Sequence, residues 1–278
     1  MASWLAEHAH LAGRYPDPDG EPARSAIARA LRVPAEAVLV GAGARSLIEA
    51  VVPAMGWRTL AIERPCYTQP IRCAQRAGCR VLHFRCGETP PAADAVWITN
   101  PHNPDGMPRR WPEGACGVLD ESYMPFAERR RLGVRRGVVR IGSLTKLWAI
   151  PGLPVGYAVA EPERIARIRR FLPPWPASTL ALALVPKMLA HISARERAVA
   201  RARRRLIAYL KQAGWEVRPS RASFVLARPR GPMPDWDAHR ILVRTFPEWP
   251  ELAGWVRLGL PHGRSHWRRL KEAIWEAC

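Results

Sequence analysis

The chain has 278 residues, 48% hydrophobic and 24% charged, the balance of a globular protein long enough to bury a substantial core. It has no run of about 18 apolar residues, which excludes a membrane-spanning helix. The opening MASWLAEHAHLAGRYP also lacks the basic and apolar tracts of a secretory signal. The formal charge of +19 comes from 43 basic residues, of which only Lys146, Lys187, Lys211 and Lys271 are lysines.

The arginines are dispersed, with denser clusters at 128–136, 195–205 and 264–269, and none lies on a recognisable nucleic-acid module. The charge therefore reads as a solvated basic surface, with neither nucleic acid nor membrane expected as a partner. Six cysteines, at 66, 73, 79, 86, 116 and 278, form no CxxC pair. Neither a disulfide framework nor a metal site is expected, and the reading is of reduced thiols in a cytoplasmic protein.

Short apolar runs alternate with helical stretches. AVLVG (37–41) reads as a strand and ARSLIEAVVPAM as a helix; TLAI (59–62) is a strand and TQPIRCAQRAG a helix. RVLHF (80–84), AVWITN (95–100), CGVLD (116–120), VVRIGS (138–143) and GYAVA (156–160) are strand-like and mostly apolar on both faces. Doubly buried strands separated by helices predict a largely parallel α/β sheet.

After residue 160 the pattern changes. EPERIARIRRFL and STLALALVPKMLAHI read as helices. SARERAVARARRRLIAYLKQAG reads as one long helix, with Ser193 as its cap and Gly214 as its stop. Short strands WEVR, SFVLA, ILVR and WVRLGL follow, and then a last helix from Ser265. The expected organisation is a large domain over 15–165, joined by the short segment 1–14, and a connecting helix with a small α+β domain over 166–278.

The loops at the strand ends carry the chemistry. GAGARS (41–46) turns into a helix whose free N–H groups suit an anion, through Gly43, Ala44 and Arg45. RPCYTQP places Tyr67 after a strand. NPHNPDG (100–106) presents the Asn103 amide on a turn stiffened by two Asn-Pro steps. LDESY sets Asp120 at a strand end with Tyr123 three residues on, and GSLTK does the same for Ser143, Thr145 and Lys146.

Together these residues supply what pyridoxal phosphate needs. Lys146 is the amine for a Schiff base, and Asp120 is the carboxylate that keeps the pyridine nitrogen protonated. Asn103 and Tyr123 are donors to the phenolic oxygen, Ser143 and the 43–46 backbone hold the phosphate, and Tyr67 stacks on the ring.

The sequence resembles the fold-type-I pyridoxal-phosphate enzymes, in the branch with histidinol-phosphate aminotransferase and the threonine-phosphate decarboxylase of cobalamin synthesis. RYPDP, NPHNPDG, LDESY and SLTKLWAIPGLPVGYAVA carry the resemblance, which runs from about residue 14 to the end. The stretch from ILVR to WVRLGLP is most similar to the decarboxylase. The resemblance implies a fold-type-I aminotransferase-like fold, with a mostly parallel central sheet in a large domain and a smaller α+β C-terminal domain. It also implies a homodimer in which Tyr15 reaches the neighbouring subunit's cofactor phosphate, and it gives Arg257 the substrate carboxylate.

Two departures accompany the resemblance. Pro154 stands eight residues after Lys146, where the family carries an arginine that clamps the cofactor phosphate. The segment before Tyr15 is also shorter than the family's substrate-covering arm, so a more open site is expected. The leading reading is decarboxylation of L-threonine O-3-phosphate to aminopropanol phosphate. An aminotransferase of the histidinol-phosphate type, or a homologue without catalysis, are the alternatives.

Overall fold

The computed structural model describes residues 2–130 and 132–276, so Arg131 and Cys278 lie outside the described residues. Seven strands form the main sheet: β1 (Val38–Gly41), β2 (Thr59–Arg64), β3 (Arg80–Arg85), β4 (Ala95–Thr99), β5 (Gly117–Asp120), β6 (Val138–Ser143) and β7 (Gly156–Val159). Their order is β1-β7-β6-β5-β4-β2-β3, and only β7 runs antiparallel to its neighbours β1 and β6.

Around the sheet lie α1 (Ala2–Glu7), α2 (Ala23–Leu31), α3 (Gly43–Met55), α4 (Gln69–Arg76), α5 (Phe126–Arg129), α6 (Leu144–Trp148), α7 (Pro162–Arg169) and α8 (Thr179–Ala190). Successive strand residues point to opposite faces. In β1, Leu39 joins the core beneath α3 and α7, while Val38 and Val40 join the core beneath α2 and α8. Both faces are therefore apolar, which is why β1, β4, β5, β6 and β7 are buried along their whole length.

The remaining chain forms α9 (Ile192–Gln212), β8 (Glu216–Val217), β9 (Phe224–Arg228), β10 (Val256–Gly259) and α10 (Gly263–Glu276). The antiparallel sheet β10-β9-β8 packs Val225, Ala227, Val256 and Leu258 against Leu206 and Leu210 of α9 and Trp267, Leu270 and Ile274 of α10. Each of the fully buried aliphatic side chains contributes about 1.5–3 kcal/mol.

The expected mostly parallel sheet and smaller α+β element are present, with four local corrections. The run 80–84 is not doubly apolar: β3 is an edge strand, with Arg80, His83 and Arg85 exposed. ILVR (241–244) is not a strand. The chain leaves a turn at Arg240, where φ is 53°, and meets β10 only at Arg244, which bridges Arg257; Leu242 is left 99% exposed. Ser193 does not cap α9, which begins one residue earlier behind His191. The last helix begins at Gly263 rather than Ser265.

The five described cysteines are free thiols. Among the described residues no His/Cys/Asp/Glu group could hold a metal, and no helix is long and apolar enough to cross a membrane.

Candidate active site

Strands β1, β2, β4, β5 and β6 are mutually parallel, so the loops after Gly41, Arg64, Thr99, Asp120 and Ser143 all leave one edge of the sheet. The antiparallel β7 starts at that same edge, which adds loop 149–155. Ligands of such sheets bind at the carboxyl ends of strands, and the predicted site residues are the residues of these loops.

The loop after β4 is braced from two sides. The Gly106 N–H donates to His102 O (2.8 Å) and the His102 N–H to Met107 O (2.8 Å). Gly106 has φ +74°, and a Cβ there would lie 2.2 Å from Ser220 Oγ, so no other residue fits against the small-sheet element. Below the loop, the Arg109 guanidinium donates to Glu63 (2.7 and 2.8 Å) and to Asp105 (2.6 Å). Asp105 also faces His102 Nδ1 at 3.3 Å. Burial pushes the Asp105 carboxyl up, but His102, Arg109 and the Met107 N–H outweigh it and hold it at about 2. This cluster fixes the loop that carries Asn103.

Asp120, at the end of β5, is buried and accepts from the Ser122 N–H at 3.0 Å. No lysine, arginine or histidine forms an ion pair with it among the described residues. Burial is the largest influence on the carboxyl and raises its pKa; Ser122 and the more distant Arg129 oppose that rise. A buried carboxylate short of a cation is an acceptor that fits a protonated pyridine nitrogen.

Tyr123 meets the edge of Phe224 at 4.8 Å, and the Arg257 guanidinium lies 4.9 Å over the same Phe224 ring. Arg257 Nη1 donates to Asn103 Oδ1. The two residues expected to face cofactor and substrate are thus joined, and the Asn103 NH2 group remains to donate elsewhere.

Lys146 lies at an exposed position of α6, yet surrounding protein lowers the pKa of its ammonium. Burial of the charge is the main cause; Arg257 adds to it and Asp120 opposes it. Tyr67, 38% exposed, has its pKa raised first by burial and also by Asp120 and Tyr123, against Arg45. These mutual electrostatic effects place Tyr67, Asp120, Tyr123, Lys146 and Arg257 around one space.

The phosphate-side residues are arranged differently. Gly43, with φ +75°, opens the 13-residue α3, leaving the first N–H groups of the helix without intrahelical acceptors. Gly156 of β7 presses against this turn, where a Cβ would lie 2.4 Å from Ala44 N, and Pro154 packs beside Gly43. Arg45 is 69% exposed and donates to Glu49 at 2.9 Å.

Ser143 Oγ caps α6 by accepting from the Lys146 N–H at 3.3 Å. The Thr145 hydroxyl is spent on Val155: it donates to Val155 O (3.1 Å) and accepts from Val155 N (2.8 Å), pinning the loop before β7. Tyr15 stands apart from the group, 80% exposed and stacked on Trp175 at 4.6 Å.

The sequence reading missed the charged support behind the site. Glu121, next to Asp120, forms a fully buried bidentate pair with Arg140 (2.6 and 2.9 Å). Arg129 is buried and donates to the Tyr157 hydroxyl at 2.8 Å. The signal for the first pair was available: an arginine inside the apolar run VVRIGS requires a buried partner.

The family model described as aminotransferase class I and II matches residues 5–263. An aromatic amino acid aminotransferase of Mycobacteroides abscessus is 28% identical over 253 residues, covering 80% of this chain and 73% of its own. A histidinol-phosphate aminotransferase of Nostoc is 28% identical over 78% of this chain and 68% of its own.

Among solved structures, the L-threonine-O-3-phosphate decarboxylase of Porphyromonas gingivalis superposes with a TM-score of 0.81 at 25% identity, covering 99% of this chain and 93% of its own. The histidinol-phosphate aminotransferase of Sinorhizobium meliloti, solved with pyridoxal-5'-phosphate, gives a TM-score of 0.86 at 19% identity, covering 99% and 86%. With its strand-end loops built for this cofactor and the family model spanning both sheets, the chain belongs to the aminotransferase class I and II family and takes pyridoxal phosphate as its cofactor.

Proposed function

We propose that the protein decarboxylates a phosphorylated amino acid, L-threonine O-3-phosphate, to aminopropanol phosphate. The observation that carries the chemistry is the convergence of Asp120, Tyr123, Lys146 and Arg257 on one space, with Asn103 tied to Arg257. The choice of reaction rests on the likeness to the decarboxylase, whose 25% identity exceeds the 19% of the pyridoxal-phosphate-bound aminotransferase. The second reading, an aminotransferase of the histidinol-phosphate type, is favoured by the names of the curated relatives.

When bound, the cofactor supplies an electron sink for charge developing at the substrate Cα. Asp120 holds the proton at the ring nitrogen, because its buried carboxyl has no other cation. Asn103 and Tyr123 donate toward the phenolic oxygen and Tyr67 covers a ring face. Lys146, its ammonium destabilised by burial, provides a neutral amine nucleophile at lower pH than a free lysine and returns a proton at Cα. Arg257 binds and orients the substrate carboxylate through its forked donors.

The α3 N-terminus and Ser143 hold the cofactor phosphate, and Arg45 turns from Glu49 toward it in place of the arginine replaced by Pro154. Tyr15, held outward on Trp175, serves the partner subunit of a two-fold dimer.

Incubation with L-threonine O-3-phosphate tests the reading. Carbon dioxide and an aminopropanol phosphate are the expected products. Keto acid formation that depends on 2-oxoglutarate overturns decarboxylation in favour of transamination.

A further inference from the structure

Beside Lys146 and Tyr123, a cavity of about 70 Å³ opens between loop 122–125, α9 and segment 221–223. At roughly 30 Å³ per water, it has room for two waters or one tetrahedral oxyanion. Its walls are cationic. Arg129 is 2% exposed, and its Nε is buried with no hydrogen-bond partner. Arg203 uses only Nη1, donating at 3.0 Å to the carbonyls of Arg221 and Ala222. Burial and the neighbouring Arg204 and Arg221 charges lower the Arg203 pKa. Arg221 reaches Glu128 outside the cavity, and Glu196, the one carboxylate lining it, accepts from the Phe126 N–H. Arg129, Lys146, Arg203 and Arg221 thus face Glu128 and Glu196, which leaves a surplus of two positive charges.

We propose that this cavity is an anion subsite that takes the phosphate of the substrate, with Arg203 and Arg221 as its donors. The proposal rests on the reading that the substrate is a phosphorylated amino acid, and it sets the class: a short side chain ending in a dianion. The subsite borders Lys146, so a phosphate held there keeps the amino acid's Cα beside that amine. Bulk is excluded by volume, and unphosphorylated analogues are disfavoured because they leave the arginine charges unmatched.

The test is calorimetric titration of inorganic phosphate into the pyridoxal-phosphate-loaded protein, with the cofactor's own phosphate already filling the α3 turn. One-site binding is expected. Arg221→Gln should weaken it about tenfold, the loss of one charge-assisted hydrogen bond. Glu128→Gln, which frees Arg221 from its competing carboxylate, should tighten it about two- to fivefold. A folding defect cannot produce both directions.

Absence of phosphate binding to the parent protein, or equal binding by both variants and the parent, overturns the subsite. Schiff-base absorbance of the same samples reads the cofactor assignment separately, and product analysis reads the reaction, so failure of the subsite is distinguishable from failure of the proposed function.

Discussion

Arg257→Ala removes three things that the structure assigns to one side chain. It removes the hydrogen bond to Asn103 Oδ1, the cation over the Phe224 ring at 4.9 Å, and a positive charge that helps lower the Lys146 pKa. The lost cation–π contact destabilises the fold by about 0.5–1 kcal/mol. A charge-assisted hydrogen bond to the substrate carboxylate contributes about 1.5–3 kcal/mol, so KM should rise about 10- to 150-fold with a smaller change in kcat.

The charge has its own readout. Removing a cation favours the protonated amine, so the pH midpoint for Schiff-base formation by Lys146 should move up. It should stay below that of a free lysine, because burial is the larger cause and remains. Arg257→Lys should restore the midpoint but not KM, since an ammonium lacks the planar fork. Steady-state kinetics and stopped-flow absorbance after mixing with pyridoxal phosphate measure the two effects. An unchanged KM together with an unmoved midpoint in Arg257→Ala refutes the assignment.

Lys146→Ala should abolish the borohydride-trapped cofactor adduct, read by peptide mapping; a labelled peptide carrying Lys187 or Lys211 contradicts the site. Asp120→Asn should eliminate turnover yet stabilise the cofactor-free protein by about 1 kcal/mol at neutral pH. The sign follows from linkage: a folded-state pKa raised by burial contributes stability at low pH that is lost as the carboxyl ionises, and asparagine does not ionise. A thermal melt of both cofactor-free proteins checks it. Pro154→Arg should tighten cofactor binding by about 1.5–3 kcal/mol in a fluorescence titration, and Arg45→Ala should weaken it; an unaltered affinity in Arg45→Ala removes Arg45 from the phosphate site.

Asp105, held at about 2 against an ordinary 3.8, contributes about 2 kcal/mol above the higher value, and that stability is lost as pH falls through the lower one. Asp105→Asn should flatten the acid-unfolding profile across this window, as followed by circular dichroism.

What the sequence revealed was local. LDESY, NPHNPDG and SLTK each sit directly after a run buried on both faces, so the strand end and the polar loop could be read together. Lys146 stood out because lysine is rare here. Pairings across long stretches of chain were not readable: Arg140 finds Glu121 19 positions away and Arg109 finds Glu63 46 away, and only the folded sheet brings them together. Hydroxyl roles were equally hidden, since Thr145 looks like a phosphate ligand until Val155 is seen to occupy it. ILVR has the composition of a strand, but strand formation needs a partner edge over several residues, and only Arg244 reaches one.

The uncompensated carboxylate of Asp120 also links the protein's lifetime to vitamin supply. A ligand that satisfies a buried acceptor stabilises the native state by mass action, about 2.7 kcal/mol at a hundredfold excess over Kd. Without that ligand the locally opened forms are more populated, and chaperones and proteases act on those forms. With Pro154 in place of a phosphate-clamping arginine, saturation requires more free cofactor. The steady-state amount of this protein in a cell should therefore follow the pyridoxal phosphate concentration more steeply than that of a relative that retains the arginine.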